Sequence, residues 1–359
     1  MMATETRPGA LVAFDAFIAD PNNWPVAPER DLVALVASIA RASRRVGEAT
    51  ALGRLMAFDR EVAVNVQGET QMPLDIVAND IFIAECGPFV RGIVSEEMDE
   101  PLCADERLGQ APYLLVTDPL DGSANTETAM SVGAFFSVLR APGRAVEASD
   151  FLQIGEAQIV AGYALFGSAT MLVVTVGRGT HGFTLHPGDG VFRLTHPNMK
   201  IGPTTSEYAI NASNQRFWEP PVQLYVQECQ EGADGVRGDD FNMRWNGALV
   251  AELHRILVRG GIFLYPWDSR SPRRKGRLRL LYEANPTAKL VEAAGGAAST
   301  GRERILEVAP AEIHERTPLI FGSKAEVARV DAHHADYDRG DALVFTTPLF
   351  RDRSIFRQD

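Results

Sequence analysis

Residues 113–125 read Tyr113-Leu114-Leu115-Val116-Thr117-Asp118-Pro119-Leu120-Asp121-Gly122-Ser123-Ala124-Asn125. Tyr113 to Thr117 is an aromatic, apolar and β-branched run of the kind that forms a buried strand. It ends in Asp118-Pro119-Leu120-Asp121-Gly122-Ser123, where Pro119 and Gly122 fix a tight turn. Two carboxylates set around a constrained turn at the end of a buried strand are not a generic solvated loop. Further acids close other elements. Glu96 and Glu97 follow the short strand Ile93-Val94, and Glu283 follows a strand read over Arg279–Tyr282. Carboxylates at the ends of several strands can converge on one point. Unpaired, such a cluster repels itself and its pKa values rise. A hard divalent cation, which takes oxygen ligands, resolves that conflict, and the fixed turn lets a main-chain carbonyl join the side chains. Asp99, Glu100 and Asp105 read instead as solvated strand-end acids.

Outward from this stretch, helical periodicity marks residues 30–49, with Leu32, Leu35, Val36, Ile39, Ser43 and Val46 on one face and Arg41, Arg44 and Arg45 on the other. A second helix is expected from Leu74 to Glu85, with Asp75 and Asn79 one turn apart on the same face. Strands follow over Phe135–Leu139, Val160–Leu165 and Met171–Val176, then a hairpin zone to about Asn198. Lys200 to Thr205, with Gly202 and Pro203, reads as a domain boundary. Beyond it the pattern gives a helix over Asn242–Arg259 and a strand at Ile262–Tyr265. A further strand is expected at Leu278–Tyr282, and a helix that Asn285 caps and Pro286 enters. Helices and mainly antiparallel strands mix along both halves. The fold class is therefore α/β or layered α+β, in two domains, residues 1–200 and 201–359.

The 359 residues, 45% of them hydrophobic, are enough for a large core. A formal net charge of −12 gives no general attraction to nucleic acid or anionic membrane. The uncharged stretch from Ala157 to Gly177 is long enough for a membrane span. Its apolar residues fall in two blocks around Phe166-Gly167-Ser168, which reads as two buried strands and a turn. The first residues lack the basic start and apolar run of a signal peptide, and a cytoplasmic location is expected. Cys86, Cys103 and Cys229 are scattered, with neither disulfide nor metal-ligand spacing. His254 and His196 read as structural.

The string Asp118-Pro119-Leu120-Asp121-Gly122-Ser123, with Asn125, resembles the signature of the lithium-sensitive, metal-dependent sugar and inositol phosphatases. Four further stretches narrow the resemblance to class I fructose-1,6-bisphosphatases. They are Val94 to Glu97, Gly162 to Met171, Gly260 to Pro266 and Leu278 to Pro286, in order over about residues 30–325. The resemblance implies a sugar-phosphatase fold with alternating helix and mixed or antiparallel sheet layers. The first domain would bind metal and the second the sugar phosphate. It also implies hydrolysis of fructose 1,6-bisphosphate in gluconeogenesis or the Calvin cycle, and a homotetramer. Two or three Mg²⁺ ions per subunit are implied, replaceable by Mn²⁺ or Zn²⁺.

By the same resemblance Glu96, Glu97, Asp118, Asp121 and Glu283 look like metal-binding acids, with the Leu120 carbonyl. Asp75, Glu69 and Glu97 stand where the family handles the attacking water. Gly122 and Ser123 look like the turn that holds the 1-phosphate. Asn211, Arg244, Tyr265 and Arg277 match positions for the 6-phosphate and sugar, Arg244 reaching across a subunit interface. The chain departs from the animal pattern at Asn214 and Trp245, each in place of Tyr, at Leu249 for Met, Ala124 for Ser and Arg277 for Lys. These changes bear on substrate choice, so a sedoheptulose-1,7-bisphosphatase or dual enzyme is the nearest alternative. An inositol monophosphatase-like enzyme and a non-catalytic sugar-phosphate sensor are the others. Six cations, Arg270, Arg273, Arg274, Lys275, Arg277 and Arg279, form an island suited to a second phosphate. In AMP-regulated relatives a helix start holds the nucleotide phosphate. Here that region reads Ala27-Pro28-Glu29-Arg30-Asp31-Leu32 and Pro112 replaces a Lys, although Tyr113 and Arg140 are kept. Weak or absent AMP inhibition is the expectation.

Overall fold

The structure, a computed structural model, describes residues 11–56, 63–64, 70–270 and 275–341. In chain order the first half holds α1 (Phe14–Ala19), α2 (Arg30–Leu52), the short pair β1 (Ala63–Val64) and β2 (Thr70–Gln71), and α3 (Pro73–Cys86). Then come β3 (Gly92–Ser95), β4 (Tyr113–Asp121), β5 (Val132–Arg140), β6 (Val160–Phe166), β7 (Thr170–Thr175), β8 (Thr180–His186) and β9 (Val191–Met199). The second half holds β10 (Glu207–Ala209), α4 (Pro220–Glu231), β11 (Asn242–Met243), α5 (Leu249–Arg259), β12 (Ile262–Tyr265) and β13 (Leu278–Arg279). It ends with α6 (Asn285–Ala293), β14 (Ala297–Ser299), β15 (Arg316–Thr317), β16 (Leu319–Gly322) and α7 (Lys324–Asp338).

Strands β3 to β9 form one seven-stranded sheet in sequence order, with β3 parallel to β4 and every later neighbour antiparallel. A five-stranded sheet has the order β11-β10-β12-β16-β14, and β10, β11 and β12 run parallel. Period-two alternation sends the strands of the large sheet into two cores. Ala134, Phe136, Leu172 and Val174 pack with α2 and α3, whereas Phe135, Tyr163 and Val173 pack with α5 and α6. The small sheet covers the other side of α5 and α6 through Phe263, Leu319 and Phe321. Its far face meets α4 and α7 through Ile262, Leu264 and Ile320. The result is helix, sheet, helix, sheet, helix. Leu35, Val36 and Ile39 of α2 are each at most 1% exposed. Each such side chain contributes about 1.5–3 kcal/mol by leaving water.

Residues 157–177 are two paired strands joined at Gly167-Ser168-Ala169, and no helix among the described residues is long and apolar enough to cross a membrane. Three local expectations change. The helix expected from Asn242 starts only at Leu249, because Asn242-Met243 pair with Glu207-Tyr208 and Gly247 takes a φ of +79°. The strand expected over Leu278–Tyr282 stops at Arg279, and Leu280–Ala284 wind into a π-helical turn that runs into α6. Asn285 is therefore already helical, and among the described residues its buried Oδ1 caps nothing.

Candidate active site and metal centre

In a regular strand, residues three apart point to opposite faces. Asp118 and Asp121 do not, because β4 carries a bulge between them. Asp118 pairs with Phe135 and Asp121 with Gly133, so Pro119 and Leu120 together oppose Ala134 alone. One extra residue reverses the alternation and turns both carboxylates the same way. Pro119 has no N–H for the ladder, and the Leu120 N–H donates to Asp118 Oδ1 at 3.1 Å. Glu283 arrives from the π-helical turn, where its Oε2 accepts from the Arg279 N–H at 2.5 Å. One carboxylate oxygen from each of Asp118, Asp121 and Glu283 lies within 4.8 Å of the others, and all three residues are buried.

Nothing among these three acids neutralises their charge. Burial, then the neighbouring carboxylates of Glu96, Asp121, Glu283 and Glu97, push Asp118 well above the ordinary range. Burial pushes Asp121 up to about 7 against the pull of the Val250 N–H, which donates to its Oδ2 at 2.8 Å. Glu283 is raised well above its ordinary value by burial, Glu96 and Asp121. Crowded, buried, all-oxygen donors of one sign fit a hard divalent cation.

The other acids surround this trio. The Glu96 N–H donates to the Thr117 carbonyl at 3.0 Å, which sets Glu96 beside Asp118 across the parallel β3–β4 pair. Arg279, 3% exposed, donates from Nε to Glu96 Oε1 at 3.1 Å. Glu97 is half-buried and close enough to raise Asp118. Asp75 is buried in the first turn of α3, where its Oδ2 accepts from the Met72 N–H at 2.7 Å. Burial raises it to about 6, with Ser123 pulling down and Glu96 pushing up, so it faces the turn and the acids together. Glu69 lies outside the described residues.

Gly122 has a φ of +76°, and a Cβ there would stand 2.7 Å from that of Ala248. Only glycine fits, and the turn therefore packs directly on the start of α5. Asn125 Nδ2 reaches the carbonyls of Ser131 and Asn246, which ties Ser123 and its neighbours to the same place.

The sugar-side residues gather at one edge of the small sheet. Parallel register sets Tyr208 beside Met243 and Ile262, so the chain leaves β10, β11 and β12 on one side with Asn211, Arg244 and Tyr265. The C-terminal ends of parallel strands are where open sheets bind ligands. Asn211 and Tyr265 line one small recess with Asp268. Arg277 pairs with Asp268 at 3.3 Å, and Arg244 is half exposed, 3.7 Å from Glu207. Of the cationic island, Arg270 is held by Asp268 and Lys275 by Glu315. Arg273 and Arg274 lie outside the described residues.

In sequence Arg279 is one of the island, whereas the fold buries it against Glu96. Its i+2 spacing from Arg277 on the strand before Glu283 was the available signal. The α5 N-terminus, whose Val250 amide meets Asp121, was hidden by the helix expected from Asn242. His254 accepts or donates one bond with the Tyr163 hydroxyl at 2.8 Å, and burial lowers its pKa to about 4, as a structural histidine.

A layered α/β fold that brings buried acids from separate elements beside a glycine turn defines a carboxylate-lined phosphatase. The chain matches the family model of the fructose-1-6-bisphosphatase N-terminal domain over residues 16–197 and that of the C-terminal domain over 201–335. It therefore belongs to the fructose-1,6-bisphosphatase family. It is 51% identical over 348 residues to a class 1 fructose-1,6-bisphosphatase of Hydrogenophilus thermoluteolus, covering 95% of this chain and 96% of that one. The class 1 enzyme of Methylacidiphilum infernorum is 50% identical over 331 residues, 91% and 93% of the two chains. Among solved structures, the holo form of Leishmania major fructose-1,6-bisphosphatase superposes with a TM-score of 0.82 at 33% identity, covering 91% of this chain and all of that one.

Proposed function

We propose that this chain hydrolyses the 1-phosphate of fructose 1,6-bisphosphate to give fructose 6-phosphate and phosphate. The convergence of Asp118, Asp121 and Glu283 beside the Gly122-Ser123 turn carries this reading. Asp118, Asp121, Glu283, Glu96, Glu97 and the Leu120 carbonyl would hold Mg²⁺, two or three ions per subunit. The ions would supply charge neutralisation at the phosphoryl oxygens and the leaving alkoxide. The Gly122 and Ser123 amides orient the 1-phosphate. Asp75, raised to about 6, buried and beside Ser123, accepts the proton of the attacking water. Glu97 supports that role, and Glu69 is carried by the resemblance alone. Asn211, Tyr265, Arg244 and Arg277 bind the distal phosphate and sugar. The half-exposed place of Arg244 at the sheet edge supports its reaching another subunit in a homotetramer. We assign the enzyme to the cytoplasm and to gluconeogenesis or the Calvin cycle, with residues near 200 dividing metal and sugar domains. Phosphate release from fructose 1,6- and sedoheptulose 1,7-bisphosphate, with and without Mg²⁺, tests this. Metal-dependent release from the fructose ester is expected. Equal release after chelation, or none from either ester, removes the assignment.

A further inference from the structure

Arg244 leaves β11 with its N–H bound to the Tyr208 carbonyl at 2.8 Å, directly beside Glu207 of β10. The contact to Glu207 Oε1 is made through Nε at 3.7 Å. Among the described residues no other acid pairs with Arg244. Glu207 is itself fixed, since its carboxylate receives Arg255 Nη1 at 2.8 Å and Arg259 Nη2 at 3.1 Å. Arg255 is held in turn by Glu252 at 3.1 Å. Glu252, fully buried, accepts the Asn246 N–H at 2.6 Å. The network thus returns to the segment it started from, two residues past Arg244. Between them Trp245 stacks on Phe263, with ring centroids 5.9 Å apart and planes 6° from parallel.

The charges in this ring do not balance. Arg244, Arg255 and Arg259 face Glu207 and Glu252, three cations to two carboxylates, one positive charge in surplus. Arg255 is 13% exposed, and Arg259, though 61% exposed, spends its Nη2 on Glu207 at 3.1 Å. Arg244, 47% exposed and 3.7 Å from Glu207, leaves the sheet at the edge that carries Asn211 and Tyr265, so it is the side chain left to take an anion there. A long exposed arginine otherwise samples many rotamers, and fixing one edge of it lowers the entropy lost on binding.

We propose that Glu207 is a positioning residue for distal-phosphate recognition: it holds the Arg244 guanidinium by its Nε edge and leaves both Nη nitrogens for the anion. This rests on the reading of Arg244 given above. Glu207 touches no reacting atom, so its effect falls on KM and not on turnover.

Steady-state kinetics with fructose 1,6-bisphosphate on Arg244→Ala, Glu207→Gln and the double variant test it. Arg244→Ala comes first, and a KM rise of about 10-fold or more is expected from loss of a charged phosphate contact. If KM does not move, the assignment of Arg244 falls, and the role of Glu207 with it. Given that rise, Glu207→Gln should raise KM about five-fold with kcat within about two-fold, the size of one ion pair. In the Arg244→Ala background it should add nothing. An unchanged or lowered KM in Glu207→Gln overturns the proposal, as does the same factor in both backgrounds, which would mark a purely structural role. Glu207→Asp keeps the charge for Arg255 and carries the test if the Gln variant unfolds. Its KM should rise above wild type but by less than that of Arg244→Ala, and a KM equal to wild type overturns the proposal.

Discussion

Two clusters of side chains, read by resemblance as a metal site and as a remnant nucleotide-phosphate site, differ in whether they have used up their own charge. In the acidic pocket Asp118, Asp121 and Glu283 lie buried together, and each is pushed toward protonation. At the start of α2 the reverse holds. Tyr113 donates to Glu29 Oε2 at 2.9 Å and Arg140 to Glu29 Oε1 at 2.9 Å, with the guanidinium 4.9 Å from the Tyr113 ring centre. A cleft of about 520 Å³ opens beside this trio between Trp24, Leu32 and Lys289. Tyr113 and Arg140, which the resemblance reads as a remnant of a nucleotide site, already share an acid from the same chain. Glu29 and Arg140 are both exposed, and such pairs contribute only about 0–1 kcal/mol. Glu29 matters less for stability than for the negative charge it sets against Arg140 and Tyr113. Unmet charge makes a site, and self-paired charge closes one.

The largest expected effect is at the unmet charges. Asp121→Asn keeps the size and the bond to the Val250 amide but removes one negative charge. We predict a loss of about 100-fold or more in kcat/KM at low Mg²⁺, partly recovered at high Mg²⁺. Near-normal turnover of that variant at low Mg²⁺ would break the comparison at its stronger end.

Metal and pH should be linked through the same acids. The folded pKa of Asp121 is raised from 3.8 to about 7, so the metal-free fold binds a proton that the unfolded chain has released. That stabilisation is complete below the unfolded value and is lost as pH rises through about 7. His254 has the opposite sign, since its folded pKa is lowered from 6.5 to about 4 and stability is gained as pH rises across that range. Subtracting metal-free from Mg²⁺-bound unfolding temperatures cancels His254. The Mg²⁺-induced increase should be larger at pH 7.5 than at pH 5.5, with a ceiling near 2.7 kcal/mol at 100 times Kd. A larger increase at the lower pH would contradict the crowding of these carboxylates.

At the self-paired pocket, AMP titrated into a steady-state assay at saturating Mg²⁺ should inhibit weakly or not at all. Glu29→Gln should sharpen the contrast by freeing Arg140 and Tyr113, strengthening AMP inhibition up to about 10-fold. Half-inhibition of the unaltered enzyme at low micromolar AMP would show that the pair opens readily.

The smallest effect concerns the thiols. Burial pushes Cys86 and Cys229 up to about 12, and Cys103 is also raised, so none is a ready thiolate. Dithiothreitol should leave kcat unchanged, and a large reversible activation would show a disulfide that these environments disfavour.

The sequence by itself determined the strand into Asp118-Pro119-Leu120-Asp121-Gly122-Ser123, the helices on either side and the two paired strands within 157–177. These follow from periodicity and turn chemistry, which act over a few residues. It also named Asp118, Asp121 and Glu283 as acids that converge. It did not place them, because their geometry depends on partners far along the chain. Asp118 and Asp121 share a face only because β5 pairs with β4 one residue short, and register belongs to the pair of strands. Glu283 points inward from a π-helical turn where the apolar pattern read as a strand, since short buried runs look alike in either form. Arg279 finds Glu96 across 183 residues, and Arg140 finds Glu29 across 111. Which charges are met and which are left open is a property of these long-range pairings, and tertiary packing alone decided it.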